Sequence, residues 1–280
     1  MNAREITDAF FKSAGIEYYR IADYSTLNEI NPSLRERAGF MPKSAIIFLI
    51  PYFVSYPKNV STYAASYDYH IFIKNVTDSL TAILQKSYPE YKFSGYGDHS
   101  PIDERHAAAV TGLGILGENK LLINERYGSY VFIADLLTDM PTELLAPDPL
   151  VEVKSCINCK KCIAICPTGI LRGECDACLS AITQRKGELT DNEVEMMRKV
   201  DTVWGCDLCQ RVCPYNKAPE ITPIDFFHLD RVEHLTREYV NSLSNEEFGK
   251  RAFAWRKRST VLRNLDLVYP DDEIEEFVKN

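Results

Sequence analysis

Nine cysteines are spread unevenly through the 280 residues. Four of them, Cys156, Cys159, Cys162 and Cys166, fall within "SCINCKKCIAICPTGI" at the spacing C-x2-C-x2-C-x3-C, with Pro167 directly after the last. Three more, Cys206, Cys209 and Cys213, stand in "CDLCQRVCP", which is the same run without its first cysteine and is again closed by a proline. Thiolates at this spacing are soft ligands that a short loop can wrap around a metal or an iron–sulfur cubane. Disulfides are the poorer reading, because the number of cysteines is odd, the chain is large, and its start, "MNAREITDAFFKSAG", carries early charges of both signs where a secretory signal would be apolar.

The first run has the bacterial ferredoxin spacing, in which three thiolates hold one cubane and the fourth reaches the other. Crossed ligation gives one 4Fe–4S cluster on Cys156, Cys159, Cys162 and Cys213. The second would use Cys166, Cys206, Cys209 and either Cys175 or Cys178. Paired C-x2-C motifs also build zinc ribbons, but three cysteines at x2 spacing and two C-P closures favour two cubanes over zinc. Such a module passes single electrons, and a reducing, cytoplasmic setting is expected for it.

Some 145 residues precede the thiols and must serve them. The composition is that of a globular chain, 45% hydrophobic and 26% charged, and its length allows more than one domain. A helix is expected at about Ala3–Ala14, strands at "IEYYRIADY" and "SAIIFLIPYF", and a helix over Tyr67–Ser87 with Phe72, Val76, Leu80, Ile83 and Leu84 on one face. Then come a strand at "YKFSGYGD", a helix from Pro101, and a hairpin of "KLLIN" and "SYVFIADLLT" about the turn "ERYG". The fold class is α+β: a mixed α/β domain with a mixed sheet over 1–145, a ferredoxin-like two-cluster domain over 146–220 beginning at the linker "APDPL", and a helical region over 221–280 ending in the acidic "YPDDEIEEFVKN". No apolar run is long enough to span a bilayer, so no membrane partner is expected, and the net charge of −8 disfavours a general nucleic-acid binder.

The order of "STYAASYDYH", "GDHSPIDERHAAAVTGLGILGENKLLINERYGSYVFIADLLTD", the cysteine run and "GCDLCQRVCPYN" resembles the epoxyqueuosine reductase family, over roughly Phe40 to Asn264. That family consists of cobalamin-dependent iron–sulfur enzymes that complete the tRNA nucleoside queuosine. The resemblance implies a nitroreductase-like corrinoid-binding domain of the kind shared with reductive dehalogenases, two 4Fe–4S clusters, and delivery of electrons to the cobalt of a cobalamin. It implies Cys178, which opens "CLSAIT", as the eighth cluster ligand, and leaves Cys175 spare. It also implies an electron donor such as a flavodoxin or ferredoxin, and tRNA as a partner.

The family's proton donor sits in a D-x-x-P context and corresponds to Asp98 of "GDHSP". The bland role for Asp98 is a helix cap. Ser100 as N-cap, Pro101 at the first helical position and Asp103 as the acidic partner already supply that need. Asp68, Tyr69 and His70 match the family's "DYH" near the corrinoid; otherwise they open a helix, with Ser66 or Asp68 as its cap. Gly112, Gly114 and Gly117 follow a helix rather than a strand, so they signal close backbone approach and not a dinucleotide site. Glu118 stands where the family has a lysine, which opens the question of a different target.

The resemblance further implies a short form, without the family's HEAT-like repeats that grip tRNA. Lys250, Arg251, Arg256, Lys257, Arg258 and Arg263, with Phe253 and Trp255 interleaved, are expected either to meet phosphates or to form a solvated helix face. Two functions compete on this reading: a reductase of the epoxyqueuosine type, and an electron-transfer protein or reductive activator of another protein's corrinoid.

Overall fold

The computed structural model describes residues 1–270, so all but the first two residues of the acidic tail lie outside the described residues. The chain forms two compact units that interleave along the sequence. Among the described residues, one comprises 1–53, 70–159 and 214–224, the other 54–69, 160–213 and 225–270, so the units cut across the consecutive boundaries expected at 145 and 220.

The first unit is built on a four-stranded sheet. Its elements in order are α1 (Ala3–Ser13), β1 (Tyr19–Asp23), α2 (Pro32–Ala38), β2 (Ser44–Pro51), α3 (Tyr69–Ser87), β3 (Phe93–Gly97), α4 (Glu104–Val110), β4 (Ile115–Leu116), β5 (Leu122–Ile123), β6 (Val131–Thr138) and α5 (Thr142–Leu145). The strand order is β1-β2-β6-β3. Every pairing is antiparallel, which corrects the expectation of a mixed sheet. Helices do alternate with strands, but α2 is a short excursion after which β2 doubles back along β1, so no right-handed parallel crossover is made.

The central strands β2 and β6 are apolar almost throughout, and all eight positions of β2 are buried. On one face Ala45, Ile47 and Leu49 pack with Ile102 and the Ala107–Ala109 stretch of α4. On the other, Phe48 meets Phe11 of α1 with ring centroids 5.2 Å apart. Gly95 and Gly97 of β3 allow α3 to lie close: a Cβ at Gly95 would fall 2.4 Å from Thr77 Cβ, and one at Gly97 would fall 2.5 Å from Ile73 Cδ1.

Three local expectations are corrected. The "ERYG" hairpin is reduced to a single bridge, Asn124 with Gly128, because β5 pairs with β4 instead of β6. The "APDPL" linker is tied down: the Asp148 N–H donates to Ile21 O at 2.8 Å, and Asp148 Oδ2 accepts from Ile21 N–H at 2.8 Å and from Arg4 Nη1 at 3.2 Å. The helix expected from Pro101 starts at Glu104 with Asp103 as N-cap, its carboxylate accepting the His106 N–H at 3.2 Å, so the cap is neither Ser100 nor Asp98.

The second unit holds α6 (Lys161–Ile165), α7 (Leu179–Thr183), α8 (Asp191–Val200), α9 (Leu208–Arg211), α10 (Arg237–Ser242), α11 (Asn245–Gly249) and α12 (Arg258–Val268). Most of these helices are too short to persist alone and depend on packing. Trp204, fully buried, centres a core with Leu179, Met197, Leu235, Phe253 and Val261. Polar clamps join distant stretches. Asn59 accepts the Leu235 N–H and donates to the Leu235 carbonyl, both at 2.9 Å, and Asn264 Nδ2 donates to Thr183 O and Val203 O at 2.7 and 2.8 Å.

Candidate metal centre and acid site

Seven of the nine cysteines, Cys175 among them, lie in the second unit's 160–213 stretch, whereas Cys156 and Cys159 end a stretch of the first unit. Cys162 is on α6 and Cys166 directly follows it. Cys178 is the N-cap of α7, Cys206 stands two residues before α9, and Cys209 is inside α9. Helices α6 and α9 pack against each other, and the thiols gather as a result.

The electrostatics record that gathering. Burial pushes the Cys206 thiol up to about 11, opposed by the Leu208 N–H and reinforced by Cys178 and Cys166. Burial pushes Cys209 up to about 12, with Cys206 and Cys178 adding to it. Cys178 is raised by burial and by Cys166, against the N–H groups of Ser180 and Ala181. Cys166 is the exception: burial acts upward, but the Leu171 N–H, the Thr168 hydroxyl and the Gly169 N–H prevail and its thiol is lowered. Structure thus brings Cys166, Cys178, Cys206 and Cys209 together. Cys175 is exposed, its Sγ donating to Ala177 O at 3.1 Å.

This donor set fits an iron–sulfur cluster. Crowded, half-buried thiols stay protonated until cationic iron draws the protons off, and backbone N–H groups aimed at sulfur stabilise the resulting thiolates. Left-handed backbone at Asn158 and Lys160, φ 54° and 60°, curls the chain on either side of the exposed Cys159. Among the described residues, no group of three or more His, Cys, Asp or Glu converges as on a single metal ion. Beside Cys206 and Cys209, the buried Asp207 accepts from the Thr62 N–H and Thr62 Oγ1, each at 2.7 Å, and from the Ser61 hydroxyl.

The acid residues lie in the first unit. Asp98 follows β3 in a left-handed conformation, φ 65°, and its carboxylate is 3.9 Å from His70 Nε2, both side chains about half exposed. Its backbone N–H donates to Glu104 Oε1 at 3.1 Å. Tyr69 is buried and packs edge-on to Tyr63, and the Asp68 N–H donates to Lys250 O at 2.8 Å; both residues belong to the second unit. Structure therefore joins His70 to Asp98, while Tyr69 serves packing. The glycines behave as close-approach positions: Gly112 has φ 80°, and a Cβ at Gly114 would lie 2.6 Å from Ile123 O.

Two acids beside Asp98 are absent from the sequence expectations. Glu104 is pushed well above the carboxylate range by burial, then by the charges of Asp135 and Asp98. Asp135 is fully buried in β6 and is also raised by burial. The signal was there: Asp135 is the one ionisable residue in the central strands "SAIIFLIP" and "VFIADLLT".

The C-terminal basic stretch is largely consumed inside the second unit. Arg251, 1% exposed, pairs with Asp230 at 2.6 Å and also donates to Tyr239. Arg258 donates to the carbonyls of Val240, Leu243 and Ser244, and Arg263 to those of Arg185 and Gly187. Arg256 stacks over exposed Trp255 at 3.7 Å, and Lys250 pairs with Glu246. These bonds correct the reading of the whole stretch as a phosphate-binding or solvated face.

Comparison with known proteins places residues 155–216 in the family described as "4Fe-4S double cluster binding domain". The chain is 32% identical to an epoxyqueuosine reductase of Lactococcus garvieae over 212 residues, covering 71% of this chain and 57% of that one. It is 32% identical to the Bacillus subtilis enzyme over 211 residues, covering 71% and 53%. It thus spans little more than half the length of the curated relatives it matches. Among solved structures, the Streptococcus thermophilus epoxyqueuosine reductase superposes with a TM-score of 0.75 at 23% identity, covering 99% of this chain and 85% of that one. An epoxyqueuosine reductase solved with an epoxyqueuosine-modified tRNA-Tyr stem loop gives 0.74 at 23%, covering 95% and 81%. The chain is related in sequence to the epoxyqueuosine reductases, shares their fold, and carries a double 4Fe–4S cluster domain.

Proposed function

We propose that this protein is a corrinoid-dependent reductase that removes the epoxide oxygen from epoxyqueuosine in tRNA, or from a related epoxide. The observation that carries the reading is the gathered thiol set at the family's spacing in a chain 32% identical to enzymes of that name. Deoxygenation of an epoxide to an alkene takes two electrons and two protons and releases water, so it needs one-electron carriers and an acid.

Two cubanes would supply the one-electron path. Cys156, Cys159, Cys162 and Cys213 would hold one, and Cys166, Cys178, Cys206 and Cys209 the other, where Cys178 is preferred to Cys175 because it is the thiol that raises both Cys206 and Cys209. Clusters of this type reach the low potentials that corrinoid reduction demands. Bound cobalamin supplies a low-valent cobalt centre, a strong nucleophile and electron donor. The residues present suit such a group: Asp98 and His70 form a proton-handling pair 3.9 Å apart whose side chains are each about half exposed. Asp98 gives its proton to the departing oxygen, and His70 exchanges protons with solvent beside it. A Bacillus subtilis relative is described with a catalytic aspartate loop swung out of its active site, and Asp98 likewise sits in a loop, past the end of β3.

The electron donor in this reading is a flavodoxin or ferredoxin and the setting is the cytoplasm; among the described residues no helix is long and apolar enough to cross a membrane. The test is turnover of an epoxyqueuosine-containing anticodon stem-loop by the chain loaded with iron and cobalamin. Asp98→Ala is expected to lower kcat by about 100-fold or more while iron and cobalt are retained. Wild-type protein that keeps its cobalt through desalting yet leaves that RNA unchanged would show the substrate assignment to be wrong.

A further inference from the structure

Asp135 is an anomaly on stability grounds. It lies in a central strand, in register between Ile47 and Tyr96, on the face covered by α4. It is fully buried, and neither carboxyl oxygen has a hydrogen-bond partner. The Ser100 hydroxyl is near enough to oppose its upward shift without forming a bond of normal geometry. An unpartnered buried carboxyl is destabilising, so packing alone selects against it.

What Asp135 has for a neighbour is Glu104, at the start of α4. Glu104 Oε1 in turn receives the Asp98 N–H, and Asp98 holds the left-handed conformation that non-glycine residues seldom adopt. A line of carboxyls runs from the centre of the sheet to the half-exposed acid beside His70.

We propose that Glu104 is a positioning residue for Asp98, holding its left-handed turn through the N–H to Oε1 bond, and that Asp135 serves Glu104 by keeping one proton shared within the pair. The inference rests on the reading of Asp98 as the acid of the reaction. Two neighbouring carboxyls, one fully buried and the other half-buried, cannot both ionise cheaply. With one proton between them, Glu104 accepts the Asp98 amide without a second negative charge behind the Asp98 carboxyl. When that proton leaves, repulsion between Glu104 and Asp98 loosens the turn.

The groups facing the pair bear this out. The neighbours that shift Glu104 most are acids, namely Asp135, Asp98 and Asp103, together with the Asp98 amide. Tyr24, which feels the Asp135 charge, donates to Glu29 at 2.6 Å, and Arg35 pairs with Glu29. Arg105 is engaged by Asp103 at 3.8 Å and by the Lys120 carbonyl, and α4 also carries His106, whose Nδ1 is buried without a partner.

Two readouts on the full, cluster-loaded chain test this without turnover. Infrared spectroscopy at neutral pH should show a protonated-carboxyl band that survives Asp98→Asn, a background in which the acid's own carboxyl is silent, and that disappears when Glu104→Gln and Asp135→Asn are added to Asp98→Asn. Amide exchange at Asp98 should be protected in the wild type and in Glu104→Gln, whose amide oxygen still accepts the bond, and lose about tenfold or more protection in Glu104→Ala. A turnover arm follows the same split: Glu104→Ala lowers kcat with KM unchanged, and Glu104→Gln restores it. No band in the wild type, a band lost with Asp98→Asn, or equal protection in Glu104→Ala and wild type overturns the proposal. An inactive wild type counts against the substrate reading alone, since the band and the exchange rate still decide this one.

Discussion

In the second unit, Cys178, Cys206 and Cys209 are half-buried ionisable groups on loops and four- or five-residue helices; in the first, Glu104 is a half-buried carboxyl on a helix and Asp135 a fully buried one in the middle of a sheet. Burial raises all five. The thiols have an external answer to that strain, because iron takes the place of their protons. The carboxyls have an internal one, a shared proton. A ligand-dependent nest can be assembled from weak local elements, whereas a proton-sharing pair needs a rigid frame that fixes its two members before any ligand arrives.

The contrast can be broken most severely at the thiols. Cys178→Ala should halve the iron content, from about eight to about four atoms per chain, and abolish turnover, while Cys175→Ala should change neither. Iron analysis with low-temperature electron paramagnetic resonance reads both variants. Retained iron in Cys178→Ala would move the ligand role to Cys175.

Next in size is the frame around the carboxyls. Gly95→Ala sets a Cβ against Thr77 at 2.4 Å and should destabilise the chain by about 1–3 kcal/mol in denaturant melts, without altering iron content.

The smallest effect carries a sign that only the carboxyl pair predicts. Folded Glu104 and Asp135 hold a proton that the unfolded chain gives up in the ordinary carboxylate range. Stability is therefore lost as pH rises from that range through neutrality. Asp135→Asn removes one partner, so the variant should gain about 1–2 kcal/mol over wild type at mildly alkaline pH and little at acid pH. Denaturant midpoints measured at both pH values check the crossover.

The same contrast explains what could be read from the chain. Cysteine spacing is a local pattern, so the double-cluster domain was legible in the sequence. The long periodic elements were also legible: Ala3–Ser13, Ser44–Pro51 and Tyr69–Ser87 lie within two residues of expectation. Antiparallel closure was not, because β2 and β6 meet across some eighty intervening residues and nothing local to either names the other. Asp135 was missed for that reason: its meaning depends on α4 lying over its face of the sheet. The arginines misled in the opposite way, since charge along the sequence says nothing of whether a guanidinium faces water or, like Arg251, caps its neighbours' oxygens.

One consequence follows from the clamp between Asp148 and Ile21. Strand β1 is at the margin of the sheet, where open amide and carbonyl groups invite a second molecule to add on as a further strand. By occupying both outward groups of Ile21 and recruiting Arg4, Asp148 denies that template at the middle of the strand. Asp148→Ala would leave the chemistry intact and shorten the time a concentrated solution stays clear.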